Sequence, residues 1–286
     1  MSDAAFQLFR PVSQETSVVF AAPHSGRHYS AGFLNQTILD ARTIRSSEDA
    51  YVDELFQDAT RYGAPFLVAQ APRAFIDFNR ASDELDPAVI EGIGRSQHNP
   101  RVSSGLGVIP RVVSGGRAIY RGKISLAEAE ARINAHWHPY HNALKTLIEE
   151  THQQFGEAIL IDCHSMPHEA IEGNLRPGRP LPQVVLGDRF GASAGAEIVD
   201  RIERAFVNAG LRVARNAPFA GAYVSQTYGR PSVGRHVVQI EIDRSLYLDE
   251  ASITCLPTFA KVQALMSEVI REIVMGQRTS VRLAAE

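Results

Sequence analysis

The sequence predicts an α/β fold, a three-layer αβα sandwich around a mixed, mostly parallel sheet. Three observations lead there. Short apolar, β-branched runs recur along the chain. Longer segments with apolar residues at helical spacing lie between them. The two kinds alternate through to the C-terminus, the order that stacks helices on a parallel sheet. No repeat, low-complexity tract or linker interrupts this order, so residues 1–286 are expected to form a single domain.

The elements follow in chain order. Residues 18–22 (VVFAA) read as a buried strand ending at Pro23. A short helix is expected near 34–39. Residues 48–62 place Val52, Leu55, Phe56 and Ala59 on one helical face, with Ser47 as the predicted N-cap. Residues 65–69 (PFLVA) and 73–78 (RAFIDF) read as strands. The stretch 83–118 is rich in Gly, Pro, Ser and Asn and reads as a functional excursion with little regular structure. Residues 125–155 carry the longest helical pattern. Ser125 and Glu128 form a capping box, and Pro139 predicts a break or kink, and so two pieces. Residues 158–163 (AILIDC) predict a strand ending at His164, followed by a second excursion over 166–182. Strands at 184–186, 211–214 and 236–242 and helices at 192–208 and 259–275 complete the alternation.

Composition narrows the function. Hydrophobic residues make up 44% of the chain and charged residues 21%, ordinary values for a globular protein with a core. The net charge is −3 and no basic block is present, which argues against a nucleic-acid partner. No apolar run is long enough to span a membrane. The first residues lack a basic, then apolar, leader, and the two cysteines form no framework, so a cytoplasmic protein is expected.

Open α/β sheets carry their chemistry outside the carboxyl ends of the strands. Polar clusters occur at such places: Pro23-His24-Ser25-Gly26, Asp77-Phe78-Asn79-Arg80, Asp162-Cys163-His164-Ser165 and Gln239-Ile240-Glu241-Ile242-Asp243. Two histidines and a carboxylate form a frequent catalytic zinc set. Each cluster also has a plainer reading. A histidine after a strand is commonly a turn residue. Glu48 and Asp49 suit the first turn of any helix. The face shared by Gln239, Glu241 and Asp243 is either solvent or a polar cleft.

Seven segments then carry a resemblance. They are APHSGR (22–27), SSEDAYVDEL (46–55), PRAFIDFNR (72–80), IYRG (119–122), HWHPYHNAL (136–144), IDCHSM (161–166) and GAYVSQTYGRPSVGRHVVQIEID (221–243). Together and in this order they resemble the N-formylglutamate amidohydrolase family. That family is similar to zinc carboxypeptidases and to the aspartoacylase/succinylglutamate desuccinylase group, which implies a zinc-carboxypeptidase-like fold. The resemblance implies one Zn²⁺ per chain, held by His24, Asp49 and His164. It implies Glu241 as general base, Arg73 as donor to the oxyanion, and Asn79 with Arg80 as the grip on a substrate carboxylate. Arg121 would hold a second carboxylate, with Arg117 and Arg230 behind it. The sequence departs from the relatives at one place: their acidic ligand in HxxE falls here on Arg27. The acidic ligand then comes from elsewhere, with the Glu48-Asp49 pair the nearest candidate, and Asp49 is taken ahead of Glu48 because the resemblance lines it up best with the family's acidic position.

The implied reaction is hydrolysis of an N-acyl amino acid, first N-formyl-L-glutamate to formate and glutamate, a late step of histidine degradation. The partner is then a small acidic molecule. Alternatives are another carboxypeptidase-like metallohydrolase and a catalytically silent binding protein on the same scaffold. His136, His138 and His141 lack the i, i+4 arrangement of a helical metal pair and read as structural or supporting residues. Tyr223 and Tyr228 read as packing residues, and Cys163 as a small core residue.

Overall fold

The computed structural model describes residues 4–94, 99–173 and 180–283, with side chains as far as residue 276. Seven strands form one sheet: β1 (Phe6–Phe9), β2 (Val18–Ala22), β3 (Phe66–Ala69), β4 (Ala158–Met166), β5 (Val184–Gly187), β6 (Val213–Arg215) and β7 (Arg235–Asp243). Their order is β1-β3-β2-β4-β7-β5-β6. The pairs β2–β4, β4–β7 and β5–β6 are parallel, and β5–β7 is antiparallel. The fold is thus α/β with a mixed sheet, as the alternation of segments predicts.

The chain packs as two compact units. One comprises Leu8–Ala22, Tyr51–Leu67 and Leu144–Glu286. Within it every residue of β4 is buried, as a central strand covered on both faces must be. The helix Ala196–Asn208 buries Ile198, Val199, Ile202, Ala205 and Phe206, a stripe at helical spacing. It packs on the closing helix Phe259–Leu283.

The other unit comprises Met1–Gln7, Pro23–Ala50 and Val68–Ala143. Its core is aromatic. Phe78 stacks on Tyr140 with ring centres 4.4 Å apart, and the Arg132 guanidinium lies 4.2 Å over the Phe75 ring. Here the predicted excursion 83–118 contains a helical turn, Pro100–Ser103, and a two-stranded ribbon of Val112–Val113 with Arg117–Ala118. Residues 95–98 of that excursion and 174–179 of the second lie outside the described residues.

Four expectations need correction. The predicted strand 73–78 is a turn, in which Phe75 and Ile76 donate to Pro72 O at 2.9 and 3.2 Å. Ala74, Ile76 and Phe78 are buried all the same, so the alternation reflects burial without an extended backbone. The predicted helix 48–62 shrinks to Val52–Leu55 followed by the 3-10 turn Gln57–Tyr62. Asp49 N–H donates to His24 O at 3.0 Å, and Tyr51 takes a left-handed φ of 63°, so no helix forms before Val52. Ser47 is accordingly not its cap; its Oγ accepts from Ser114 N–H at 3.1 Å.

Third, Pro139 does not break the long helix. A π-helical turn, Ile133–Trp137, joins Leu126–Arg132 to His138–Phe155. The wider turn accommodates a ring that would clash in regular α-helix. Fourth, β4 runs on to Met166, so His164 lies inside a strand and the second excursion starts after it. Pairing with β7 continues to Met166 opposite Asp243, which keeps the backbone extended. The edge strand β1 and the helix Tyr223–Tyr228 had no expectation. None of the described helices is long and apolar enough to cross a membrane.

Candidate active site

His24 follows β2 in a turn that lies against the chain at 70–71. A Cβ at Gly26 would fall 2.2 Å from Ala71 O, so only glycine permits this approach, and His28 N–H donates to Gln70 O at 3.0 Å. The same contact brings His24 to the turn that carries Asp77. His24 Nε2 meets Asp77 Oδ1 at 2.7 Å, and Arg73 Nε donates to Asp77 Oδ2 at 3.1 Å. Asn79 N–H donates to Asp77 Oδ1 at 2.8 Å. Burial works to raise the Asp77 pKa, yet His24, Arg73 and Arg80 outweigh it and hold the carboxyl well below its ordinary value. An ionised Asp77 keeps the proton on Nε2 and points the lone pair of Nδ1 the other way. That side of the ring faces Asp49, with Nδ1 3.4 Å from Asp49 Oδ2.

His164 is held in the same manner. Its Nε2 lies 3.1 Å from Oδ2 of Asp162, two residues earlier on the same face of β4. His24, Asp49 and His164 are all buried, and one ligand atom from each lies within 4.8 Å of the others. This group can hold a metal ion. Glu48 serves another purpose: Tyr29 Oη and Arg45 Nε donate to its Oε1 at 2.7 and 3.0 Å, and Arg45 Nη2 to its Oε2 at 3.0 Å. Its carboxylate is committed to that pair, whereas Asp49 is directed at His24.

Glu241 is the Cα partner of His164 on β7, and partners across a parallel ladder share a face. Its Oε1 accepts from Gln239 Nε2 at 2.8 Å, and Gln239 Oε1 accepts from Ala222 N–H at 3.2 Å. All of these side chains are buried, so the polar face of β7 is not a solvent face.

Arg80 is only 7% exposed. Its Nε donates to Leu106 O at 2.9 Å and its Nη1 to Asn79 O at 3.3 Å. No ion pair neutralises it among the described residues, and burial pulls its pKa below the ordinary value. Asn79 is buried beside it. Arg73 keeps its side chain a quarter exposed while Asp77 anchors Nε. Arg121 and Arg117 are exposed, and Arg117 Nε donates to Ser114 O. Arg230 donates from Nη1 to Gln226 O and Gly229 O.

The family model described as N-formylglutamate amidohydrolase matches residues 16–248. The chain belongs to the N-formylglutamate amidohydrolase family. Every candidate residue from His24 to Glu241 falls inside the matched span. An N-formylglutamate deformylase of Pseudomonas aeruginosa is 30% identical over 82% of this chain and 82% of its own. Another, from Pseudomonas putida, is 27% identical over the same shares. The crystal structure of an N-formylglutamate amidohydrolase from Ralstonia eutropha is 35% identical, covers 97% of this chain and 99% of its own, and superposes with a TM-score of 0.90. Family membership makes this chain an amidohydrolase.

Two of the histidines at 136–141 have contacts within the fold. His141 Nε2 lies 2.9 Å from Phe78 O, burial pushes its pKa down to about 4, and His136 sits edge-on to Phe75. Two residues escape a reading by residue type. Asp77 reads in sequence as part of the Asn-Arg element, but its carboxylate goes to His24. Gln239 shows only as a polar residue in phase with Glu241, a signal too common to single it out.

Proposed function

We propose that this chain is a zinc-dependent deformylase of N-formyl-L-glutamate. The observation that carries the reading is the buried donor set of His24, Asp49 and His164, with Glu241 as the Cα partner of His164. One carboxylate and two imidazoles, each imidazole backed by a second carboxylate, suit a catalytic zinc ion that keeps an open position. When bound, zinc supplies Lewis-acid polarisation of the formyl carbonyl and a more acidic water. Glu241 takes the proton as water adds to the formyl carbon. It returns that proton to the leaving nitrogen as the C–N bond breaks, and formate and glutamate separate. Arg73, whose Nε donates to Asp77, is the donor proposed for the developing oxyanion.

Arg80 and Asn79 take one substrate carboxylate. The support is a buried guanidinium whose donors, among the described residues, go to the carbonyls of Leu106 and Asn79. Arg121, exposed in the structure, is the residue proposed for the other carboxylate. The decisive experiment is a panel of N-formyl, N-acetyl and N-succinyl amino acids assayed with and without added zinc. N-formylglutamate should be hydrolysed fastest, and removal of zinc should abolish turnover. Equal rates across the acyl groups, or full activity after complete demetallation, would overturn the assignment.

A further inference from the structure

We infer that Gln239 is a positioning residue that fixes how Glu241 is presented, and this rests on Glu241 being the general base. Gln239 is 4% exposed and both ends of its amide are used. Ala222 N–H can only donate, so the atom that receives it, at 3.2 Å, must be the amide oxygen. The other end is then the NH₂ group, which can only donate, and it lies 2.8 Å from Glu241 Oε1. Gln239 thereby engages Oε1 as an acceptor and ties down one side of the Glu241 carboxylate. The bond also locks the Glu241 carboxylate in one orientation.

The brace is built into the backbone. A Cβ at Gly187, the Cα partner of Gln239 on β5, would come within 2.7 Å of Ala220 C and Gly221 N. The missing side chain lets the 220–221 backbone lie on the sheet at this point. Gly221 has a φ of 105°, a conformation that other residues rarely adopt, and it delivers Ala222 N–H to Gln239. Two glycines from separate segments thus converge on one amide, whose far end holds the base.

A purely structural brace and a positioning residue predict different kinetics. Gln239→Met keeps length and removes both hydrogen bonds. Gln239→Glu keeps an acceptor for Ala222 N–H and removes the donor to Glu241. Both variants should lose about 10- to 100-fold in kcat, as expected for a hydrogen bond to a charged group, with KM and metal content unchanged. In a Glu241→Gln background neither should cost anything further, because the group they act through is gone. Full kcat in Gln239→Glu, or the same loss with Glu241 as without it, would overturn the inference. If Glu241→Gln alone retained turnover, the failure would lie in the assignment of the base, since that variant leaves Gln239 in place.

Discussion

His164 and Glu241 stand opposite each other as Cα partners on β4 and β7, the two central parallel strands of the sheet. A metal-ligand candidate and a base candidate are therefore separated by one ladder spacing, on backbone that cannot shift without breaking the sheet. Glu241→Gln preserves volume and removes the proton acceptor. It should retain metal and lose about 10²- to 10⁴-fold in turnover. Metal analysis and steady-state kinetics on one preparation check both halves.

Asp77 holds His24 through Nε2 at 2.7 Å, and it is buried. Asp77→Asn loses the anionic acceptor that fixes the imidazole tautomer. Metal affinity should fall by about 10- to 100-fold. Competition with a chelator of known affinity measures this directly. Unchanged affinity would separate Asp77 from the metal site.

Much of this site is legible in sequence, and its gaps have physical causes. The strands at 18–22 and 236–242 are visible because apolar runs must be buried. His24, His164 and Glu241 are visible because polar residues in or beside such runs are costly unless paired. The choice of Asp49 over Glu48 rests in sequence on the family resemblance alone, and residue type gives no ground for it. The physical ground is that Tyr29 and Arg45 claim the Glu48 carboxylate. The turn at 73–78 is not legible, because Ala74, Ile76 and Phe78 are buried at a strand's period without a strand. Pro139 misleads because a π-helical turn replaces the expected break.

Arg80 tests the proposed grip. Its fork donates to Leu106 O and Asn79 O, which orients the guanidinium plane. Arg80→Lys keeps the charge but not the planar fork. KM for N-formylglutamate should rise by about 10-fold or more, with a smaller change for N-formyl amino acids bearing one carboxylate. Equal changes for both substrate classes would remove Arg80 as the selective clamp.

His168 links the ends of the same two strands. Its Nδ1 lies 2.9 Å from Asp243 Oδ2, which pairs with Met166 across the ladder, and Glu172 lies 3.7 Å from its Nε2. The Asp243 hydrogen bond raises the His168 pKa above its ordinary value. The folded state thus binds the proton more tightly than the unfolded chain. The stabilisation is complete below the unfolded pKa and is lost as pH rises through the folded one. The gap in melting temperature between wild type and His168→Asn should be widest in mild acid and close above neutrality. A gap independent of pH would show that the pair makes no charge-linked contribution.

Gly187→Ala reaches Glu241, the proposed base, from outside the polar cluster. The added methyl would meet the 220–221 backbone at 2.7 Å, where no flexible side chain can yield. The backbone must move, and Ala222 N–H moves with it away from Gln239. The cost in stability should be about 1–3 kcal/mol, typical of an overpacked contact. The kinetic effect should copy Gln239→Met: a lower kcat, unchanged KM and full metal content. Combining Gly187→Ala with Gln239→Met should then reduce kcat no further than either alone, because both substitutions break one chain of hydrogen bonds. Multiplying losses would mean that Gly187 affects turnover by a separate route.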